Sequence, residues 1–366
     1  MGEEFPLSLS YLDFRGQNMR KKLYLVLIIL VMSMSFTVNL FAVGGFSVVL
    51  NLTENQNPNT VNFFNIRTVP GETLRFSVLV TNTEDTEIFI ETQLFNATTT
   101  NHGNVDYASE GLIDITMETA FIDIANITGS SYKAIRVGES VEVEIQVDVP
   151  ETPFDGIILG SIQIMRGISE EDRENAGMIV NRFAQVIPIR LYQNSTTVNP
   201  EFDLGDVYVD VVNGIATYVI ELRNVKPRLT MGVWVNARVY QAGSNQSFFI
   251  SERLVDFAPN TIFPMWLTDT EGFGVFAGEY NVKVEVTYEG QTWEFERELY
   301  IEPQVALDVN RGAINLQGAP INTDISTIVE NQSGAVFNLE RVLYGTTILS
   351  SIGVAFAITK VKKKNK

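Results

Sequence analysis

The sequence predicts an all-β protein built as two tandem immunoglobulin-like β-sandwich domains, and three observations carry that prediction. Apolar and polar residues alternate in short runs such as Val141-Glu142-Val143-Glu144-Ile145-Gln146-Val147, the pattern of a strand with one buried face. The runs recur at spacings of roughly ten residues with Gly, Pro, Asn and Asp between them, as sandwich strands do. No long apolar pattern of helical period is found in the first domain.

In chain order, residues 1–44 read as a leader and signal peptide. Met19-Arg20-Lys21-Lys22 places positive charge directly before an uncharged apolar run, Leu23 to Ala42, the layout of a secretory signal. Met19 is the expected start, and Ala42 or Gly44 suits the cleavage site. The run is also about long enough to span a bilayer, which leaves an uncleaved anchor as the alternative.

The first domain, 45–193, is expected to open with a strand at Phe46–Leu52 and an Asn-rich turn at 55–59. Pro70-Gly71 is a turn, and Leu74–Val80 and Ile88–Leu94 are expected to pair as antiparallel neighbours across a polar hairpin at Asn82–Thr86. Ala97–Ala134 reads as loop, with a short strand near Leu112–Met117. Val141–Val149 and Ile157–Met165 then meet at a corner. Pro150 and Pro153 remove backbone donors and fix φ, so the sheet cannot run through them, and Asp155-Gly156 supplies the reversal. Gly160 inside an apolar strand indicates a bulge or a close backbone approach. These five residues are read as structural, and Gly156→Val is expected to destabilise the first domain. A charged loop at 169–175 precedes the closing strand, Phe183–Leu191.

The polar segment Asn194–Pro200 (NSTTVNP) is the expected linker. In the second domain, 200–303, strands are expected at Asp206–Val212, Ile215–Leu222, Val233–Tyr240, Phe248–Val255, Glu279–Val286 and Thr292–Ile301. Residues 304–341 read as a stalk rich in Asn, Gln and Gly. Val342–Thr359 carries no charge and is followed by Lys360, Lys362, Lys363, Lys364 and Lys366. That order predicts a C-terminal transmembrane helix at 342–359 with a basic cytoplasmic tail at 360–366, an interfacial helix being the alternative.

Composition narrows the chemistry. A net charge of −18 argues against nucleic acid as partner, and the absence of cysteine excludes a disulfide framework. His102 is the only histidine, and neither a nucleophile elbow nor an HExxH pattern occurs, which excludes most acyl-transfer triads and zinc sites. Among the 44 Asp and Glu residues no pair stands out as a glycosidase couple, so the acids read as a solvated face. No catalytic residue, metal or cofactor is assigned. Trp234, Trp266 and Trp293 all fall in the second domain; core packing is the default for them and contact with a protein partner the alternative.

Several ordered phrases resemble the WxL-interacting proteins of Gram-positive cell surfaces. They are FSVVLNLTENQ at 46–56, the Pro70-Gly71 turn before a strand with its Thr81-Asn82 pair, T-N-x-G-x-x-x-Y at Thr100–Tyr107 and VPETPFDGIILGSI at 149–162. NRFAQVIPIRL at 181–191, ELRN at 221–224, FAPNTIFPM at 257–265, AGEYNVKVEV at 277–286 and Trp293-Glu294-Phe295 continue the match. The resemblance implies an N-terminal domain that binds peptidoglycan, a C-terminal domain that binds host or extracellular matrix proteins, and WxL-domain proteins as partners. It implies a non-enzymatic protein held at the outer face of the cell membrane and wall. An extracytoplasmic chaperone of tandem immunoglobulin-like domains is the alternative function, since such domains can lend a strand to a client. A wall-active hydrolase is the third reading, and no residue nominates its acid or base.

Overall fold

The computed structural model describes residues 44–168, 182–268 and 274–314. The expected signal peptide up to Val43, the loop at 169–175, the stalk beyond Ile314, the span at 342–359 and the basic tail lie outside the described residues. In chain order the strands of the first half are β1 (Phe46–Asn51), β2 (Phe64–Arg67), β3 (Thr73–Asn82), β4 (Ile88–Asn96), β5 (Thr98–Thr99), β6 (Val105–Asp106), β7 (Ala125–Ile127), β8 (Tyr132–Ile135), β9 (Ser140–Asp148), β10 (Ile158–Arg166) and β11 (Ala184–Tyr192). One turn of helix, α1 (Phe121–Ile124), precedes β7. The second half has β12 (Phe202–Val212), β13 (Ile215–Asn224), β14 (Thr230–Gln241), β15 (Ser247–Phe257), β16 (Thr261–Thr268), β17 (Gly278–Tyr288) and β18 (Gln291–Ile301), and ends in helix α2 (Pro303–Gly312).

The protein is all-β with several sheets. In the first sandwich a sheet of order β1-β3-β9-β7 faces one of order β2-β11-β10-β4-β8. Alternation along each strand sends Phe46, Phe76, Val78, Val143, Ile145, Ile162, Ile164 and Ile189 into a shared core. The corner between β9 and β10 carries the chain from one sheet to the other, as the Pro150 to Gly156 stretch predicts. In the second sandwich a sheet of order β12-β13-β16 faces one of order β15-β14-β17-β18 around Phe202, Tyr218, Val235, Val255, Phe263 and Val284.

Four expectations are corrected. β3 and β4 do not pair; they lie in opposite sheets. The connection between them is pinned by Asn82, whose buried side-chain nitrogen donates to the Thr86 and Ile135 carbonyls at 2.8 and 2.9 Å. Residues 97–134, read as loop, hold β5, β6, α1, β7 and part of β8. β2 and β16 were not expected as strands. Pro264 sits within β16, which is allowed because β16 is an edge strand whose unpaired side needs no N–H. Finally, residues 303–312, where a stalk was expected, are α2, and its Ala306, Leu307 and Val309 pack into the second core.

Among the described residues, no helix is long and apolar enough to cross a membrane.

Candidate binding surfaces

The five corner residues divide by role. The Pro150 carbonyl accepts from Gly71 N at 3.0 Å, Pro153 is exposed, and Asp155 accepts from Asn194 Nδ2 at 2.8 Å. Gly156 has φ +80°, and a Cβ there would collide with the Pro227 carbonyl oxygen of the second sandwich. Gly160 is a close approach and not a bulge: its pairings on both sides run in unbroken register, and a Cβ would fall on the Phe121 ring. The corner is therefore also a contact between the sandwiches, for Ile157 N donates to the same Pro227 oxygen at 2.9 Å.

A second contact was not legible in the sequence. The segment 97–116 with the β5–β6 hairpin reaches onto the second sandwich beside the edge strands β15 and β16. Thr99 Oγ1 lies 2.7 Å from Thr261 Oγ1 and accepts from Ala258 N at 3.0 Å. Asp256 N donates to the Gly103 carbonyl at 2.8 Å, Ile262 N to the Leu112 carbonyl at 3.1 Å and Asp114 N to the Asn260 carbonyl at 2.9 Å. Asn260 Nδ2 in turn donates to Thr116 Oγ1 at 2.9 Å. Ala97, Ile157, Leu159 and Ala258 form a small apolar core beneath this arm.

The charged centre of the junction is Asp114. Its side chain is fully buried and accepts from Arg223 Nε at 2.6 Å and Nη2 at 3.1 Å. Burial opposes its charged form, but the hydrogen bonds from Arg223 and Thr116 outweigh that and hold the carboxyl below the usual aspartate range. Arg253 is drawn into the same region: inward-facing on edge strand β15, it donates to the carbonyls of Asn101 at 3.1 Å and Trp266 at 3.2 Å. Burial pushes its guanidinium below its ordinary value.

The outer face of the β1-β3-β9 sheet is a polar ladder interrupted by one apolar pair, Val49 opposite Leu79. Thr81 Oγ1 lies 2.7 Å from Ser140 Oγ, Thr73 Oγ1 donates to Asp148 at 2.9 Å, and Arg75 donates to Gln146 at 2.9 Å. Asn51 bonds Ser77 at 2.9 Å, and Ser77 bonds Glu142. Such a surface presents hydroxyl, amide, guanidinium and carboxylate groups at strand spacing, the mixture of donors and acceptors that sugar hydroxyls and peptide groups need.

The three tryptophans separate. Trp293 is half-buried and meets the Phe202 ring edge-on at 5.1 Å, so it packs against the second core. Trp266 is half-buried on the outer face of β16. Trp234 is 40% exposed on the outer face of β14, directly across from Leu254, 63% exposed. Of the three, Trp234 alone stands in an exposed apolar pair. Among the described residues no group of His, Asp and Glu is placed to hold a metal.

Two family models match the chain. The peptidoglycan binding domain of the WxL Interacting Protein matches residues 46–166, and the host binding domain of the same protein matches residues 174–311. The second match takes in β11, although that strand pairs with β10 and β2 in the first sandwich. No curated protein sequence matches. Similar solved structures include the YadV chaperone, at 9% identity over 70% of this chain and 100% of that one, TM-score 0.27. The CupB2 chaperone of Pseudomonas aeruginosa is 12% identical over 62% and 92% of the two chains, TM-score 0.23. The E. coli chaperone DraB is 16% identical over 69% and 99%, TM-score 0.25.

Proposed function

Because this chain belongs to the WxL Interacting Protein family, with a peptidoglycan binding domain followed by a host binding domain, we propose that it is a non-enzymatic bridge at the cell surface. In this reading the first sandwich engages peptidoglycan, the second engages host matrix proteins, and WxL-domain proteins are held between wall and chain. The observation that carries the reading is the order of the two matched domains along one chain. The junction supports it: bonded at the corner and along the arm, the sandwiches can transmit force between two ligands instead of swivelling on a linker. The polar ladder on β1, β3 and β9 is the surface we assign to the glycan and its stem peptides. The basic-then-apolar start at 19–42 and the apolar-then-lysine run at 342–366 support export and membrane tethering.

The test uses the purified full chain. It should co-sediment with insoluble peptidoglycan sacculi and be captured by an immobilised WxL-domain protein at near-physiological salt. Failure of both removes the proposal, and release of sugar from the sacculi would replace it with a hydrolase.

A further inference from the structure

At one end of the second sandwich, the turn after β14 and the start of β17 enclose an open cavity of about 570 Å³. It lies on the outer face of the four-stranded sheet. Tyr240, Asn281 and Glu298 stand in one cross-strand row, and Glu279 and Tyr300 stand opposite each other in the next. Tyr300 is 63% exposed, and neighbouring Tyr280 is fixed by an aromatic cluster with Tyr218 and Phe248.

The polar groups of this cavity are unequal in kind. Its one cation is already engaged: Lys283 Nζ lies 3.4 Å from Glu296, and Asn281 Nδ2 donates to the same carboxylate. The Glu279 and Glu298 carboxylates are not. Asn281 Oδ1 is buried without a donor, a state that costs free energy unless a ligand or water relieves it. Among the described residues no cation pairs with Glu279 or Glu298. Two free carboxylates, an orphaned amide oxygen and two tyrosine rings call for a positively charged group rich in N–H donors, because carboxylates accept from it and aromatic faces attract it. An acidic ligand would meet like charge.

We propose that this cavity binds arginine or lysine side chains displayed by a partner protein. The inference rests on the host-binding reading of the second sandwich and gives that partner a chemistry: a basic segment, drawn in by a chain of net charge −18.

The probe is a short peptide with three arginines, titrated calorimetrically into the full chain in about 0.15 M salt to screen long-range attraction. Its citrulline counterpart, of the same shape without charge, is the control. Glu279→Gln with Glu298→Gln should weaken the arginine peptide about tenfold, and Tyr240→Ala should weaken it further. Glu285→Gln with Glu294→Gln, an equal change of charge on the same sheet outside the cavity, should leave affinity within about twofold. The proposal is overturned if the peptide does not bind, if citrulline binds as well, or if both double variants weaken binding alike. Immobilised extracellular matrix separates the two readings. Matrix binding by the parent that the cavity variant retains sinks the cavity as the contact and leaves host binding standing. Peptide binding without any matrix binding supports the cavity and removes the host reading.

Discussion

At the scale of single residues, Asp114 is where burial and charge meet most sharply. A buried carboxylate is tolerable only when its partners outweigh the lost hydration, and Arg223 with Thr116 does so. The consequence has a sign. Because the folded carboxyl titrates below its ordinary value, the contribution is fully present above about pH 4 and is lost as the pH falls through the lower folded-state value. Asp114→Asn keeps the shape and removes the charge. It should cost about 2 kcal/mol at pH 7, less than a fully buried pair would, since Arg223 is 22% exposed and retains Asp203 at 2.8 Å. Denaturant unfolding of parent and variant between pH 7 and pH 3 checks this. The gap should narrow below about pH 4, and a gap independent of pH would show that geometry, not charge, is what matters there.

At the scale of elements, α2 is the piece whose role the sequence hid. Pro303 occupies its first turn, where a missing N–H costs nothing, and Ala306 and Leu307 close the second core. Asn310 then does what no apolar residue could. Buried at 1% exposure, its Oδ1 accepts from Val275 N and its Nδ2 donates to the Val275 carbonyl, both at 2.8 Å. Asn310→Ala strands two buried backbone groups and should cost about 2 kcal/mol or more. Thermal melting followed by near-ultraviolet circular dichroism would read it, and an unshifted midpoint would mean water replaces the amide at no cost. The long strands were legible because runs such as the eleven residues of β17 alternate throughout, and the six expected in the second sandwich lie where the structure has them, within about four residues at their ends. α2 was not, because its inward stripe is short and includes a polar Asn that periodicity scores as solvent-facing. The arm was illegible for a different reason. β5 and β6 are two residues each, and their order comes from partners such as Thr261, 162 positions away from Thr99. The same holds for the acidic cavity: Tyr240, Glu279 and Glu298 are unremarkable singly, and only the strand register assembles them.

At the scale of the whole molecule, the question is whether the two sandwiches behave as one body. A seven-residue polar linker alone would leave them free to move. The junction instead has an ion pair on a buried carboxylate, backbone hydrogen bonds along the arm and a small apolar core, enough cross-contact to couple their unfolding. The parent should therefore melt in one calorimetric transition. Gly156 is the position at which to break that coupling, and it sharpens the expectation drawn from the sequence. Valine there must adopt a positive φ that a β-branched residue resists, and its Cβ strikes the Pro227 carbonyl, so the Ile157-to-Pro227 hydrogen bond is lost as well. The strain, about 2 kcal/mol, falls on the first sandwich and on the junction together. Gly156→Val should thus split the single transition into two, with the earlier belonging to the first sandwich, while sedimentation with sacculi below that transition persists. A parent that already melts in two separate steps would show that the arm and corner touch without coupling. A variant that melts as the parent does but no longer sediments would make the corner a binding surface instead of a hinge-lock.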